Sequence, residues 1–437
     1  MLYYMLIISG GCKMDFNQIE IADGVSFVGI DAKQFKTNNI SMCFALDLKE
    51  ETVSANAVLV SLLARKCEKY NTLTSFNRKL ANLYGAVASG VTIKQGASQV
   101  LRLGIKCLDD RFSLDGESIS LECAKLLCDM AFSPCMENGS FLEADVEAEK
   151  RIIIQRIEAE ENEKRKYAMN RAEEIMFSGE PYGIGRLGTK EQVAALCVED
   201  INEAWRRVLS TAKIMIASVG SLDGEEFCNF IKPRLAEIDR NYTPLKKPVL
   251  VPFANSVKEE MERQDVKQGK LVLGFRVNME YDDDLTVAMR CFADIFGGGP
   301  YSKLFVNVRE KLSLCYYCSA RYNRTNSAVM VQSGCNEENM DKAVKEILNQ
   351  LEKIKSGDFD EEFSASKIAI SDFLGSVKDD PETMSLWYQT QIIDDSIRSP
   401  EDDIKIHNAV TKEQILKCAS LVSLDTVYKL SSPEEAE

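Results

Sequence analysis

Two stretches of this 437-residue chain, residues 40–90 and 270–320, follow the same plan, and this internal repeat constrains the fold more than any other feature. In each stretch a strand-like apolar run is followed by a polar bend and then by an apolar helical run. The two stretches stay in register at a spacing of 230 residues, which places Met42 opposite Val272. Identity between them is low, so what repeats is the apolar pattern, and the chain is predicted to fold as two similar units.

The continuation of each repeat indicates the class of fold. A second helical run leads into two strand-like runs, and long amphipathic helical runs follow in both halves. Strands that mostly follow one another along the chain, with the helices grouped apart, are typical of α+β proteins. We therefore predict an α+β fold in which each unit is a mostly antiparallel sheet packed by helices.

A segment rich in proline and lysine, PRLAEIDRNYTPLKKPVLVPF, separates the two units and has no apolar periodicity. It divides the chain into a first unit at 14–228, a linker at 229–258 and a second unit at 259–437. The remaining residues, 1–13, form an N-terminal extension that we expect to be unstructured. Its apolar run of about eight residues is too short to span a bilayer and has no basic leader, so Met14 is the expected start of translation.

The charge of the chain excludes some classes of partner. Its formal net charge is -15, which argues against nucleic acid and against an anionic membrane as the main partner. Like the N-terminal run, every other segment of the sequence is too short or too polar to be a transmembrane helix. Most of the acidic side chains are expected on the solvated surface rather than in a site.

The fourteen cysteines are scattered, and only Cys315 and Cys318 have the C-x-x-C spacing. A four-cysteine zinc site needs a second such pair, and the single histidine, His407, lies far away. Thioredoxin-like chemistry needs the pair at the start of a helix, whereas CYYC lies within a strand-like run, so we expect no function for it. Unpaired cysteines in this number are typical of a reducing compartment, which predicts a cytoplasmic protein.

Four segments resemble, in order along the chain, motifs of the insulinase/pitrilysin zinc peptidases, a family that includes the mitochondrial processing peptidase subunits. They are EKRIIIQRI at 149–157, PYGIGRLGTKEQVAAL at 181–196, IASVGSLDGEEF at 216–227 and YSKLFVNVREKLSLCYY at 301–317. The internal repeat is also what that family has. The resemblance implies two homologous α+β domains arranged as half of a clam-shell.

Active members of that family carry an H-x-x-E-H motif on a helix of the first repeat. Its histidines bind zinc, its glutamate is the general base for the metal-bound water, and a glutamate on a later helix completes the site. The resemblance places the motif on Leu59, Leu62 and Leu63, with an offset of one residue also open, and the distal glutamate on Arg156. Leucine cannot bind zinc and an arginine would repel it. We therefore expect no metal or other cofactor in this chain and no peptide hydrolysis by the chain alone.

Active members built from two domains or subunits also use an arginine and a tyrosine from a second-domain repeat. The resemblance places this pair on Arg309 and Tyr316. It implies contact with the substrate backbone near the scissile bond, where arginine presents fixed donors to carbonyls and a tyrosine hydroxyl stabilises an oxyanion. The alternative is that Arg309 is a solvated or paired cation beside Glu310 and that Tyr316 is an ordinary strand aromatic that packs on a helix.

Three consecutive glycines, Gly297, Gly298 and Gly299, precede this pair. One interpretation is a helix C-cap followed by a turn ahead of Pro300. No G-K-[ST] follows, so the glycines are not a phosphate-binding loop. The resemblance adds a substrate-binding interpretation, because related non-catalytic subunits have a longer glycine-rich loop here that helps to receive substrate.

The resemblance thus implies a non-catalytic subunit of a heterodimeric zinc peptidase. Such a subunit binds an extended peptide by an exposed strand edge and supplies Arg309 and Tyr316 to a homologous partner that carries H-x-x-E-H and holds the zinc. Three alternatives stay open: a scaffold like the respiratory-complex core subunits that resemble this family, a peptide-binding assembly factor without proteolysis, and an unrelated catalysis. For the last, the chain has no nucleophile–base or dinucleotide motif. A homodimer is open as well.

Overall fold

A computed structural model describes residues 16–281, 283–394 and 397–433 of the chain. The predicted N-terminal extension, 1–13, and the expected start at Met14 lie outside these residues. The described part forms two sheets with helices packed on them, which confirms the predicted α+β class. In that part, no helix is both long and apolar enough to cross a bilayer.

The strands of the first half form one six-stranded sheet and one short ribbon. In chain order they are β1 (Phe16–Ala22), β2 (Val25–Asp31), β3 (Thr37–Asp47), β4 (Val87–Gln95), β5 (Ser98–Leu108), β6 (Met136–Glu137), β7 (Ser140–Phe141) and β8 (Lys213–Gly220). The sheet has the spatial order β1-β2-β8-β3-β5-β4, and only β2 and β8 run parallel. The central strand β3 is buried along most of its length, because helices cover both faces of the sheet.

The second half repeats this arrangement. Its strands are β9 (Lys258–Arg263), β10 (Lys270–Val277), β11 (Tyr317–Asn323), β12 (Ala328–Gly334) and β13 (Val422–Ser431). They follow the spatial order β11-β12-β10-β13-β9, again with a single parallel pair, β9 and β13. Without β1, the first sheet has the same order, so that β3 corresponds to β10 and the edge strand β4 to the edge strand β11. The repeat predicted from the sequence is therefore a repeat of topology.

The helices of both halves come largely from apolar periodic runs with polar caps. Those of the first half are α1 (Glu50–Leu63), α2 (Leu73–Asn82), α3 (Ile119–Phe132), α4 (Glu143–Asn162), α5 (Lys164–Met176), α6 (Lys190–Ala195), α7 (Val198–Thr211) and α8 (Gly224–Ala236). Those of the second half are α9 (Thr286–Gly297), a π-helix (Leu304–Lys311), α10 (Glu337–Lys355), α11 (Asp360–Ser376), α12 (Pro381–Gln389), α13 (Pro400–Asn408) and α14 (Lys412–Ser420). At the start of α13, for example, the Ser399 side chain accepts from the backbone N–H of Asp402 at 3.2 Å, beside a proline in the first turn.

Each half contributes one helix to the second face of the other half's sheet. From the second half, α12 packs Met384 and Tyr388 into a core with β2, β3, β5 and β8. From the first half, α5 packs Ala172 and Met176 into a core with β10, β12 and β13. Neither sheet is covered on both faces by its own half of the chain. The two halves are therefore expected to depend on each other for stability.

A buried arginine adds a polar contact between the two halves. Arg276 of β10 is 3% exposed and donates to the carboxylate of Asp425 on β13 at 2.9 Å. Its other nitrogens donate to the carboxylate of Glu180 at 2.6 Å and to the carbonyl oxygen of Met176 at 2.7 Å, both in the first half. Arg276 thus connects the end of α5 to the second sheet through charge-assisted hydrogen bonds.

The boundary between the halves differs from the predicted linker, 229–258. Helix α8 continues to Ala236 and buries Ile231 and Leu235 in the core of the first half. The N-terminal part of the predicted linker is therefore helical, because its apolar side chains cover the first sheet. Residues 237–257 form neither helix nor strand. The division of the chain into two separate domains stays a prediction.

The sequence indicated that the motif CYYC lies within a strand, but in the structure it does not. Strand β11 begins only at Tyr317, and the chain bends at Tyr316, whose backbone N–H donates to the carbonyl of Gly334 at 2.8 Å. Because of this bend, Cys315 and Cys318 both enter the core of the second half, whereas positions three apart in a straight strand face opposite sides.

Candidate functional site

Helix α1 meets the long helix α4 at a buried polar contact. The hydroxyl of Ser61 donates to Oε2 of Glu149 at 2.6 Å, and the guanidinium of Arg65 forms an ion pair with Oε1 of the same carboxylate. Glu149 is only 1% exposed, so its charge needs both partners to remain buried. Ser61 lies in the last turn of α1 and Arg65 two residues beyond its end, and both reach the same carboxylate.

The positions that the sequence predicted for a degenerate zinc motif are occupied by apolar core residues and an exposed cation. Leu59, Leu62 and Leu63 of α1 are buried in the core of the first half, and Arg156 on α4 is exposed. Across the described ranges, no three His, Cys, Asp or Glu side chains are grouped so that they could hold a metal ion. These residues do not fit zinc, because leucine offers no donor and the carboxylate between α1 and α4 is already paired with an arginine.

A cleft of about 1120 Å³ lies between the two halves. One wall comes from α5 and Tyr182, and the other from the end of α9, the three glycines and α11. Between the walls lies β11, of which residues 319–323 line the cleft. Since β11 is an edge strand, no other described strand pairs with its outer N–H and C=O groups. The cleft exceeds the roughly 300–1,000 Å³ of a small-molecule pocket and offers an open strand edge.

Tyr182 lies where the edge strands of both sheets end. Its hydroxyl accepts a hydrogen bond from the Asn323 side chain, at the end of β11, at 3.0 Å. The ammonium group of Lys94, near the end of β4, lies 3.9 Å from the centre of the Tyr182 ring and donates to its carbonyl oxygen at 2.9 Å. Burial, together with the nearby Glu173 carboxylate, raises the pKa of Tyr182, so its hydroxyl stays protonated near neutral pH. The sequence identified the Pro-Tyr-Gly turn that contains Tyr182, but it did not predict that this tyrosine contacts the ends of both edge strands.

The charged side chains of the cleft differ in whether they are paired. Lys166, Glu173 and Arg290 are each held in an ion pair with a residue outside the cleft. Arg165 instead stacks its guanidinium 4.4 Å from the centre of a tyrosine ring at the start of β11, and Arg321 is exposed. Among the residues that the structure describes, neither of these two arginines has a carboxylate partner. The cleft therefore presents two guanidinium groups that can receive an acidic side chain or a terminal carboxylate.

The three glycines lie at the end of α9, as the C-cap interpretation predicted, and all three line the cleft. A Cβ added to Gly297 would meet the backbone nitrogen of Ala320 on β11, so the helix approaches this strand more closely than any side chain allows. A Cβ on Gly298 would meet the carboxylate of Asp294. Gly298 has φ -81°, so lack of space rather than a left-handed backbone favours glycine there.

Arg309 and Tyr316 lie outside this cleft. The Arg309 side chain, on the π-helix, is 39% exposed and its Nε is 3.6 Å from the neighbouring Glu310 carboxylate. Its guanidinium also lies 4.4 Å from the centre of the Phe305 ring. Tyr316 is 61% exposed, and within the described residues its hydroxyl has no hydrogen-bond partner. The glycines and the arginine–tyrosine pair, which the sequence proposed as one substrate-binding set, therefore do not share one cleft.

Comparison with known proteins gives consistent matches along the chain. The family model described as "Peptidase M16 inactive domain" matches residues 196–367. The probable inactive metalloprotease YmfF of Bacillus subtilis (strain 168) is 28% identical over 415 residues, which cover 93% of this chain and 96% of that protein. The sequence similarity therefore extends over both halves.

Two solved structures have the same fold. A conserved protein from Enterococcus faecalis V583 superposes with a TM-score of 0.87 at 24% identity, over 97% of this chain and 100% of that one. The peptidase M16 inactive domain from Pseudomonas fluorescens superposes with a TM-score of 0.75 at 13% identity, again over 97% of this chain and 100% of that one. The family model and the Bacillus relative confirm the resemblance, and these two structures confirm the fold that the sequence predicted.

Proposed function

The chain belongs to the M16, or insulinase-type, peptidase family as an inactive member, and we propose that it is the zinc-free subunit of a heterodimeric peptidase. It binds an extended peptide in the cleft at β11 and presents Arg309 and Tyr316 to the active site of a homologous partner. That partner carries the H-x-x-E-H motif and holds the zinc.

The observation that carries this proposal is the cleft over the free edge of β11. A peptide that adds to an edge strand gains main-chain hydrogen bonds whatever its sequence, and pockets for its side chains then give selectivity. The two arginines without carboxylate partners, Arg165 and Arg321, favour peptides with an acidic side chain or a carboxyl terminus near β11. The glycine turn keeps the cleft wall free of side chains at its narrowest approach to the strand.

The exposed pair supports the second part of the proposal. A guanidinium can hold a substrate carbonyl in a fixed geometry, and a phenolic hydroxyl can stabilise the oxyanion that forms when zinc-bound water attacks. In this chain the one ion-pair partner given for Arg309 among the described residues is the adjacent, solvent-exposed Glu310 carboxylate at 3.6 Å, and Tyr316 presents its ring to solvent. Both side chains are thus available to a second subunit. A partner is required because, among the described residues of the first half, no three candidate ligands are grouped to hold zinc.

The proposed setting is the cytoplasm. The cysteines of the described residues are all free thiols, and most of them are buried, as expected in a reducing compartment. The net charge of -15 does not favour nucleic acid or anionic lipid as a partner.

Purification of the tagged chain from its own host tests the assembly. Co-purifying proteins are identified and quantified by mass spectrometry, and we expect one partner of similar size, in equimolar amount, with an intact H-x-x-E-H motif. The double variant Arg309→Ala, Tyr316→Phe serves as the control and should retain the same partner, because neither substitution disturbs a buried contact. Recovery of the chain by itself, or in a large assembly without such a partner, would refute the heterodimer and favour a scaffold.

Peptide binding to the purified chain tests the cleft separately. We expect hydrogen exchange in β11 to slow when an extended acidic peptide binds, because the peptide protects the outer backbone groups. Arg321→Ala should weaken binding of that peptide about 3- to 10-fold, the range of one exposed charge-assisted contact. Arg206→Ala, on a solvent-exposed helix face of the first half, is the matched control and should change nothing. Protection elsewhere without protection of β11 would place the peptide site on another surface.

A further inference from the structure

The turn that leads from the π-helix into β11 brings two thiols together. The backbone N–H of Leu314 donates to the π-helix at 3.0 Å, and the N–H of Tyr316 donates to the end of β12 at 2.8 Å. Within this turn Cys315 and Cys318 are 7% and 5% exposed, and both side chains lie in the same core. The bend at Tyr316 makes this placement possible, and the motif is the only C-x-x-C in the chain.

The surroundings make the two thiols unequal. The hydrogen bond from Cys318, the Ser333 hydroxyl and the nearby Arg309 guanidinium lower the pKa of Cys315 to about 7 against the effect of burial. The hydrogen bond to Cys315, together with burial, raises the pKa of Cys318 well above its ordinary value. Burial likewise raises the pKa of Cys335, which lies in the same core, to about 11. A thiolate beside a protonated thiol is the arrangement in which one cysteine attacks and the other resolves.

A metal site is the other chemistry that neighbouring cysteines can support. In the described part of the chain, no three cysteine, histidine or acidic side chains are grouped to hold a metal ion. The third cysteine of this core, Cys335, therefore does not complete a thiolate site with the C-x-x-C pair. Redox chemistry of the pair fits the geometry better than metal binding.

We propose that Cys315 and Cys318 form a reversible disulfide, which makes this turn a redox modification site. The oxidant is a low-molecular-weight disulfide such as oxidised glutathione. The Cys315 thiolate attacks one sulfur of the oxidant, forms a mixed disulfide and expels one small thiolate. That thiolate takes the proton of Cys318, whose sulfur then attacks the sulfur of Cys315 and expels the second small thiolate, which solvent protonates. Two protein thiols are oxidised to one disulfide, and the oxidant is reduced to two thiols.

The disulfide would act on the turn that carries Tyr316. Tyr316 lies between the two cysteines in the chain, so a bond between their sulfurs closes a small ring that contains it. The same reaction removes the Cys315 thiolate from the neighbourhood of the Arg309 guanidinium. Formation of the disulfide does not rest on the function proposed above, and it can be measured on the isolated chain.

Equilibration of the purified full chain with mixtures of reduced and oxidised glutathione tests this proposal. After acid quenching and alkylation, mass spectrometry should find the peptide with both cysteines lighter by two hydrogens, and dithiothreitol should restore it. Cys318→Ser should stop the reaction at a glutathione adduct on Cys315. Cys335→Ser is the matched control, a buried thiol of the same core, and should leave disulfide formation unchanged.

The pH dependence of alkylation provides a second readout that does not depend on the disulfide. In the wild-type chain, the rate at which iodoacetamide modifies Cys315 should be half-maximal at a pH below the ordinary pKa of a thiol, and Cys318→Ser should move the midpoint upward. The proposal is overturned if both thiols stay free in oxidised glutathione. It is also overturned if Cys315 retains a glutathione adduct in the presence of Cys318, or if it pairs with Cys335.

Discussion

The two halves of this chain share one strand order, but the region where the helix after the central strand ends is packed in the first half and borders a cleft in the second. In the first half, residues 53–63 of α1 are all buried, and the contact of α1 with α4 is occupied by the Glu149–Arg65 pair. In the second half, the equivalent helix α9 ends in three glycines beside a cleft and a free strand edge. The α1 positions predicted for a zinc motif thus lie in a closed, packed region, whereas the end of α9 borders an accessible polar surface.

This difference in accessibility coexists with a strong mutual dependence. Each sheet is covered on one face by a helix from the other half. Arg276, in the second half, also donates hydrogen bonds to Glu180 of the first half. A change in one half should therefore be felt as a change in the stability of the whole chain.

The largest loss of stability is expected from Arg276→Met. This change leaves the buried Asp425 carboxylate and the Glu180 carboxylate without their cation, which should lower the free energy of unfolding by about 3–5 kcal/mol. Urea unfolding followed by circular dichroism measures it. Arg206→Ala is the matched control, because its ion pair is more than half exposed, and it should cost less than about 1 kcal/mol. Equal losses in the two variants would show that the contact between the halves is not important for stability.

The next largest effect should come from the two exchanged helices. Met384→Ala on α12 and Met176→Ala on α5 each remove a fully buried side chain and should each cost about 2–5 kcal/mol. Both variants should unfold in one transition, because neither half is covered without the other. Ile368→Ala, at a side chain 65% exposed, is the control and should change stability by less than about 0.5 kcal/mol. Two separate unfolding transitions would contradict the mutual dependence.

A smaller effect is expected at the glycine turn. Gly297→Ala forces α9 away from the backbone of Ala320 and should cost about 1–3 kcal/mol, as overpacking does. Gly375→Ala is the control, because Gly375 lies in helix α11 with no atom close to an added Cβ, and it should be neutral or stabilising by up to about 1 kcal/mol. Thermal unfolding of both variants, with peptide binding measured in parallel, tells a packing role of Gly297 from a role in the cleft. If both substitutions have the same effect, the close approach to β11 is not what requires glycine.

The smallest net change in stability is expected where zinc binding replaces a buried ion pair, because the bound metal would neutralise Glu149 in place of Arg65. In the double variant Ser61→His, Arg65→His, two imidazoles replace the partners of Glu149 and offer zinc two nitrogen ligands beside a carboxylate oxygen. We expect one bound zinc per chain by elemental analysis after dialysis. Leu59→His with Leu63→His has the same spacing in the sequence, lies on α1 and is the control, and it should bind none and lose stability, because it buries polar rings in the apolar core. Zinc binding by the control alone would place the equivalent of the motif at the positions that the sequence indicated.

Much of the fold could be predicted because the repeat sets both the order of strands and the faces that are apolar. The packing of α12 on the first sheet and of α5 on the second could not be predicted. Apolar periodicity shows which face of a strand is buried, but it does not show which part of the chain covers that face. The position of α8 was missed for a related reason. Its sequence contains proline and basic residues, yet Ile231 and Leu235 pack on the first sheet, and tertiary packing overrides a weak local preference.

The candidate site was predicted only in part. The glycine cap depends on local sequence and was found, whereas the cleft combines α5 with strand and helix ends more than a hundred residues away. The Ser61–Glu149–Arg65 contact could not be predicted, because Arg65 lies beyond the end of α1. Glu149 is one of many acidic residues on α4, and nothing local identifies it as buried. The bend in CYYC was missed because its residues have high strand propensity, while hydrogen bonds to the π-helix and to β12 impose the turn.

The most direct test of the central claim is the peptidase activity of the chain assembled with its co-purified H-x-x-E-H partner. We expect the wild-type complex to cleave peptides and the Arg309→Ala, Tyr316→Phe complex to lose at least about 10²-fold in kcat/KM, the effect of removing a transition-state donor. Assembly should be unchanged, as judged by the equimolar recovery of both subunits. Full activity of the variant complex would show that the pair does not act in catalysis, and the chain would then serve the assembly by binding alone.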